Sequence, residues 1–490
     1  MGLEQRDIRQ QKLNDIRQMG INPYKDRYEK THSLAEARAL ALGSEGVRIA
    51  GRVLAVRLFG RLIFATMKDF SGKMQIALQE KVIGKERFSF FKKYVDIGDF
   101  IGAEGTIFKT KMGEITLDVT EYELLSKTLR PLPEKFHGLV DRELLYRQRY
   151  LDLIMNEGSM ERFLKRTAIV KALRTFLDSE GFIEVETPVL QTKPSGAIAT
   201  PFVTHHNALG LDLYLRIAPE TYLKRCIAGG FEKVYEFARS FRNEGLDPSH
   251  LQDFTMLEYY AAYWNYEDNM AFTERLIKYV LKEVCGSLRL SLGDRTIDFE
   301  GRWERLSMRD LILRDTGIDY TRSASEEDLK KDIKRSGIEI EEMENMGYGA
   351  LVDSLFKKIS RPNISGPLFV IYHPIALSPL ARKNDADPEV TDRFQLLVNG
   401  WEIVNAYSEL VDPVDQRERL LEQSALRQKG DFEAMVMDED FLTTMEHGMP
   451  PISGWGMGID RFVCLLTNQE NLRDVVLFPL MKPLNPEDDE

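Results

Sequence analysis

VYEFARSFRNEG (234–245) and HLQDFTMLEYY (250–260) decide how this chain is read. The first stretch ends a strand with Phe241, Arg242, Asn243 and Glu244. A polar loop follows, and FTMLEYY runs back as a second strand. Side chains alternate across a strand, so Met256, Glu258 and Tyr260 share one face. Two carboxylates, an arginine and His250 converge on one hairpin. The plain alternative is a surface hairpin carrying ion pairs. Against it, FTMLEYY is too apolar for a freely exposed strand.

Two further segments stand out on either side. LDSEGFIEVETPVLQ (177–191) reads as a helix ending near Gly181, a strand, and then Pro188; alone it is an ordinary helix-to-strand corner. SGWGMGIDRF (453–462) alternates Gly454, Gly456 and Gly458. Such a run suggests a phosphate loop. The spacing is not G-x-G-x-x-G, however, and too few residues follow for a dinucleotide unit. No G-x-x-x-x-G-K-[ST] occurs, which excludes a P-loop. The informative part is Asp460-Arg461, opening a helix that continues as FVCLLT. An arginine there can meet a polyphosphate where glycines let backbone come close.

The N-terminal part has a different period. Residues 5–20 read as an amphipathic helix through Ile8, Leu13, Ile16 and Met19, ended by Asn22-Pro23. From Val47, VRIAGRVLAVRLFGRLIFATMKDFSGKMQIALQ reads as short strands, with turns at Phe59-Gly60 and Phe70-Ser71-Gly72. A helix is predicted over 84–94, and more strands follow to Lys127. Five strands with a helix between the third and fourth is the layout of an OB-fold barrel. Arg48, Arg52, Arg57 and Arg61 fall on or beside its first strands, with Phe64 and Phe70 near them. Single-stranded nucleic acid needs such a mixture, because bases stack on rings while cations meet phosphates. By this reading alone, barrel core is the stronger assignment for Phe64. RPLPEKF (130–136) reads as a linker, and 140–155 as a hinge helix. Residues 320–345 are charged and helical in pattern, a surface insertion. PEDDE at the end reads as a solvated tail.

At 490 residues the chain exceeds the size at which one core stops growing, so two or three domains are expected. No run of about 18 apolar residues appears, which argues against a membrane span. The N-terminus has no apolar signal core, so the cytoplasm is expected. Cys226, Cys285 and Cys464 form no CxxC pair, so neither a zinc site nor a disulfide framework is suggested. A net charge of −12 argues globally against nucleic acid. Charge acts over only roughly 8–10 Å at physiological salt, so a local basic stripe remains compatible with RNA binding.

The three segments together, in this order and spacing, resemble motifs 1, 2 and 3 of the class II aminoacyl-tRNA synthetases. EVETPVLQ matches motif 1, FRNEG with FTMLE motif 2, and GMGIDR motif 3. No HIGH or KMSKS signature of the other class occurs. A barrel ahead of the catalytic part resembles the subclass that handles lysine, aspartate and asparagine. PSGAIATPFVTHHNALGLDLYLRIAPETYLKR (194–225), HPIALSPLARK (373–383) and WEIVNAYSELVDPVDQR (401–417) resemble the lysyl branch. Aspartyl enzymes tend to read EGA-R-F where this chain has SGAIATPF.

The resemblance implies an all-β OB-fold barrel followed by an α+β catalytic domain, an antiparallel sheet flanked by helices. The divisions are 1–45 helical, 46–129 barrel, 130–155 linker and 156–490 catalytic. It implies ATP-dependent activation of L-lysine and its transfer to lysine tRNA, with Mg2+, in a homodimer built on motif 1. Glu409 and Tyr260 would meet the substrate's ε-ammonium, with Glu258 nearby. Glu220 and Gly196 would hold the α-amino group. Arg242 and Asn405 would hold the carboxylate, and Tyr407 and Gly456 would line the pocket. For ATP, Arg242 would bind the α-phosphate and Arg461 the γ-phosphate end. Glu244, His250, Leu251 and Phe254 would lie at the adenosine, and Glu402 would coordinate magnesium. In the barrel, Phe64 and Gln75 would stack on and read the middle anticodon base, helped by Arg52.

The chain departs from the pattern at Gln395, where the family usually has a second magnesium-binding glutamate. A glutamine carbonyl can bind magnesium but brings no charge. Leu251 replaces a frequent asparagine, Trp455 a smaller apolar residue, and Tyr407 a frequent phenylalanine. The competing readings are an asparaginyl or aspartyl enzyme, and a catalytically inactive RNA-binding paralogue. Gln395 is the only support for the last, while Arg242, Glu402, Glu409 and Arg461 are all present.

Overall fold

The computed structural model describes residues 2–133, 141–197, 199–245, 247–428 and 435–483. Residues 134–140 of the expected linker, and the terminal PEDDE, lie outside the described residues. The chain divides into two compact units, residues 1–140 and 141–490.

The first unit opens with helix α1 (Gly2–Gln18), which buries Leu13 and Ile16 and leaves Ile8 exposed, as is Met19 just past its end. It stops before Asn22-Pro23. Gly20 takes φ 75°, and Ile21 N–H closes on the Ile16 carbonyl at 3.2 Å, so a glycine turn ends the helix first. After α2 (Leu34–Ala39) come β1 (Val47–Phe59), β2 (Leu62–Asp69), β3 (Gly72–Gln79), α3 (Glu80–Ile83), α4 (Lys85–Tyr94), β4 (Phe100–Lys109) and β5 (Ile115–Ser126). The strands close into a barrel in the order β1-β2-β3-β5-β4. Its inside is filled by Ile49, Val53, Ile63, Ala65, Met67, Met74, Ile76, Leu78 and Ile107. Register then decides what faces outward. Arg52 pairs with Lys68, Arg57 with Phe64, and Gln75 with Thr66. Residues 64, 66 and 68 alternate with buried Ile63, Ala65 and Met67, so Arg52, Phe64 and Gln75 share the outer face. Phe64 is not barrel core.

In the second unit, α5 (Arg142–Arg147), α6 (Arg149–Met155) and α7 (Glu157–Ser179) precede short strands β6 (Ile183–Glu184), β7 (Leu190–Gln191), β8 (Val203–His206) and β9 (Leu211–Leu215). Next come α8 (Glu220–Ala228), β10 (Lys233–Phe241), β11 (Asp253–Ala262), α9 (Tyr266–Cys285), β12 (Arg289–Leu292), β13 (Arg295–Asp298) and β14 (Glu304–Ser307). The remainder is α10 (Met308–Thr316), α11 (Glu326–Arg335), α12 (Tyr348–Leu355), β15 (Leu368–Pro374), β16 (Val390–Val398), β17 (Trp401–Ser408), α13 (Pro413–Gln428), α14 (Glu439–Glu446), β18 (Ile452–Gly458) and α15 (Ile459–Leu466).

Eight strands form one sheet, β14-β15-β16-β17-β18-β11-β10-β6, antiparallel except at its two outermost pairs. One face packs against α7, α9 and α15. Leu257, Tyr259, Val404, Ala406 and Met457 meet Leu173, Phe176, Leu276, Val280 and Phe462 there. The intervening residues of the same strands point the other way, into a cavity. Trp455 belongs to the core. Its ring lies on the helix side, stacked on Tyr259 at 4.7 Å, and its Nε1–H donates to Thr273 Oγ1 at 2.9 Å. The charged segment 320–345 belongs to a helical lobe in which Leu329 and Ile333 are fully buried beside Leu311, Ile312, Leu351 and Val370.

Candidate active site

The cavity on the free face of the sheet has a volume of about 320 Å³. Met256, Glu258 and Tyr260 from β11, Asn405 and Tyr407 from β17, and Gly454 and Gly456 from β18 form its floor. β18 pairs with both neighbours, Gly456 opposite Glu258 on one side and Asn405 on the other. The glycine run is therefore a strand, not a phosphate loop. Its glycines lie beneath the cavity, where side chains would fill it. A Cβ on Gly454 would overlap the Glu409 carboxylate and the Tyr260 ring.

One end of the cavity is acidic. Glu220, at the first turn of α8, accepts from Lys224 Nζ at 2.6 Å and from Tyr407 O–H at 2.8 Å, both on Oε1. The Tyr407 hydroxyl, absent from a phenylalanine, thus orients Glu220. Glu258 is 4% exposed and accepts from Tyr260 O–H at 3.4 Å. Burial, and then the nearby Glu220, push its carboxyl up to about 8. Glu409 is fully buried, with Oε2 in an ion pair 2.5 Å from Lys224 Nζ and no other partner on either oxygen among the described residues. Burial raises it well above the ordinary carboxylate range, against the pull of Lys224. Gly196 takes φ 86° beside Ala218 and Glu220, a close approach and a conformation that glycine alone adopts easily.

The other end is basic. Arg242 is held by its backbone, whose N–H donates to the Gln252 carbonyl at 2.9 Å. Its guanidinium lies 5.1 Å from the Phe254 ring, and its Nε has no partner among the described residues. Burial lowers its proton affinity, opposed by Glu244, Glu258 and Glu402. Arg461 enters from the start of α15. That turn is anchored by Asp460, which accepts from Arg166 at 2.7 Å and from the Thr255 N–H at 2.9 Å. His250 Nδ1 lies 2.7 Å from Asp247, whose carboxyl is held down at about 2, chiefly by Ser249 and His250 hydrogen bonds working against desolvation. Glu244, His250, Leu251, Phe254 and Glu402 all line the cavity.

Two expected residues are not on the cavity wall. Glu409 stands behind Gly454 and Tyr260, joined to Lys224. Gln395 is buried, with Oε1 3.3 Å from His373 Nε2. Two residues were missed. Arg393 lines the cavity and donates to Asn405 Oδ1 at 2.9 Å, the Leu377 carbonyl at 2.7 Å and Ser378 Oγ at 2.9 Å. Its position two residues before Gln395 was the available signal. Lys224 is the other; its i,i+4 spacing from Glu220 reads as a common surface pair.

Residues 141–482 match the model of the tRNA synthetases class II (D, K and N), and residues 47–125 match that of the OB-fold nucleic acid binding domain. The lysine–tRNA ligase of Carboxydothermus hydrogenoformans is 48% identical over 97% of both chains. Those of Thermotoga maritima and Thermosipho africanus are 46% and 45% identical, over 99% of this chain and 98% of theirs.

The chain belongs to the lysine–tRNA ligases of class II.

Glu402 and Gln395 are the two residues expected at a metal ion. Among the described residues, no group of three or more His, Cys, Asp or Glu could hold a metal ion. Glu402 is a carboxylate on the cavity wall, close enough to Arg242 and Arg361 to favour their charged forms. No helix among the described residues is long and apolar enough to cross a membrane.

Proposed function

We infer that this chain activates L-lysine with ATP and esterifies the lysyl group to the 3′ end of lysine tRNA. The observation that carries this reading is the polarity of one cavity, with Glu220 and Glu258 at one end and Arg242 and Arg461 at the other. Lysine is the amino acid whose two ammonium groups need the first and whose carboxylate needs the second. Aspartate would meet the acidic end with like charge and leave it unpaired.

The assignments follow the cavity. Glu220, with the Gly196 backbone, takes the α-ammonium; Glu258 and Tyr260 take the ε-ammonium, with Glu409 behind them adding negative charge. Arg242 and Asn405 hold the carboxylate, and Arg393 fixes Asn405. Tyr407 and Gly456 close the pocket. The adenine end lies against Phe254, His250, Leu251 and Glu244. The lysine carboxylate attacks the α-phosphorus, the bond to pyrophosphate breaks, and lysyl-adenylate forms. The nucleophile is already ionised, so no general base is required. Arg242 and Arg461 neutralise the charge that develops on the phosphates, and the cavity supplies alignment. The tRNA 3′-hydroxyl then displaces AMP.

Magnesium held by one or two carboxylates together with ATP phosphates is the usual arrangement. Glu402 fits that role and Gln395, turned to His373, does not. The ion would add charge neutralisation at the phosphates. Outside the cavity, Phe64, Gln75 and Arg52 on the outer barrel face are assigned to the anticodon. The divisions 1–45, 46–129, 130–155 and 156–490, a homodimer through motif 1, and action in the cytoplasm complete the reading. ATP–pyrophosphate exchange without tRNA tests it. Exchange with lysine alone is expected. Exchange with asparagine or aspartate would refute the pocket assignment, and none with any of the three would favour an inactive paralogue.

A further inference from the structure

Lys224 has no task in the reading above, yet it sits at the centre of the acidic end. Its side chain is 1% exposed, with Nζ 2.6 Å from Glu220 Oε1 and 2.5 Å from Glu409 Oε2. The rings of Tyr407 and Phe441 flank it at 5.8 and 5.7 Å. Lysine is almost never fully buried unless paired. A surface Glu-Lys pair on α8 would contribute little; this one is turned wholly inward.

The charge around it explains the placement. Glu220, Glu258 and Glu409 crowd one end of the cavity, with Tyr260 and Tyr407 between them. Glu220 disfavours ionisation of Glu258 and Glu409, and Glu258 that of Glu409. Lys224 pulls Glu409 back towards its charged form, and a neutral carboxyl does not attract an ammonium. Lys224 occupies one oxygen of Glu220 and one of Glu409. The partners of Glu220 are both on Oε1, which leaves Oε2 for the cavity that Glu220 lines; Glu409 stands behind the wall, and beyond its ion pair with Lys224 neither of its oxygens has a hydrogen-bond partner among the described residues.

We propose that Lys224 is a resident counter-ion that sets the charge of the lysine pocket. It offsets one of the three carboxylates, orients Glu220 and Glu409, and leaves the second oxygen of Glu220 for an ammonium of the substrate. It is a positioning and specificity-determining residue, acting through Glu220 and Glu409. This inference rests on the assignment of the three glutamates to lysine.

The test uses the full chain. Lys224→Met keeps most of the stem and removes the charge. Exchange kinetics are measured against lysine and against ATP between pH 6.5 and 8.5. The expected result is a KM for lysine raised roughly 10- to 100-fold at pH 7, a KM for ATP within a few fold, and a lysine KM that falls more steeply with pH than in the parent. In Lys224→Ala, millimolar propylammonium should restore lysine affinity, while propan-1-ol, of the same size without the charge, should not. An unchanged or lower lysine KM in Lys224→Met overturns the proposal. So does a loss that neither pH nor propylammonium moves, because that marks a packing role. Should Lys224→Met fail to bind ATP, the propylammonium-against-propanol comparison decides alone. Glu258→Gln separates the two levels: if it too leaves the lysine KM unchanged, the pocket assignment itself fails, whereas an effect there without one at Lys224 refutes only the counter-ion.

Discussion

Raising the pH from 6 to 8 should tighten lysine binding, and Glu258 sets by how much. Its carboxyl is pushed from an ordinary 4.5 to about 8, first by burial and then by Glu220, with Arg242 opposing. At pH 7 such a group is protonated in roughly nine molecules of ten, and ionising it to meet an ammonium costs about 1.4 kcal/mol, a factor of about ten in affinity. At pH 6 the cost is about 2.7 kcal/mol, and above pH 8 it vanishes. The apparent affinity should therefore rise about tenfold per pH unit up to about 8 and then level off. Calorimetric titration with lysine, in two buffers of different ionisation heat, reads the same event as close to one proton released near pH 6.5. Glu258→Gln should abolish both the slope and the release, and the difference between the proteins cancels lysine's own ionisation. The sign for stability follows from the same shift. The folded state holds this proton between 4.5 and about 8 and the unfolded chain does not, so the free protein loses stability as pH rises through that window. Glu258→Gln should be the more heat-resistant form at pH 8.5 and gain nothing at pH 4. Lysine binding that is flat from pH 6 to 8, with no proton released by the parent protein, would refute the reasoning.

Three further outcomes are expected. Gly454→Ala puts a methyl group into the Glu409 carboxylate and Tyr260 ring; exchange assays should show a lysine KM raised at least about tenfold, and a normal KM would mean that the floor of the cavity is not the lysine site. Arg461→Ala should lower the kcat of exchange roughly 100- to 1,000-fold, as for loss of a donor to a charged transition state; a kcat within a factor of three of the parent would remove Arg461 from the mechanism. Phe64→Ala takes a ring from the outer barrel face, and loss of one stacked base is worth about 1–3 kcal/mol. The KM for tRNA in aminoacylation should rise accordingly, and an unaltered value would detach Phe64 from tRNA binding.

Some of this was legible in local pattern. Alternation in FTMLEYY places Leu257 and Tyr259 on the core face and Met256, Glu258 and Tyr260 on the other, as the sheet has them. The five barrel strands and the helix before the fourth were equally readable, because period and turn residues are local properties. Resemblance then brought together the remaining segments of the candidate site, which no periodicity links. The exceptions share one physical cause. Which residue stands opposite which depends on register between strands far apart in the chain. Pairing of β18 with β11 and β17 made a glycine run, read as a loop, into the floor of a cavity. Pairing of β1 with β2 turned Phe64 outward. The direction in which α8 packs put Lys224, part of an ordinary helical pair by spacing, between two buried acids. Gln395 met His373, and Arg393 reached Asn405. The sequence by itself determined the strands, the helices and the charged residues available. Only the tertiary structure decided which charges are buried together, because burial and pairing across the sheet belong to the packed chain and to no segment of it.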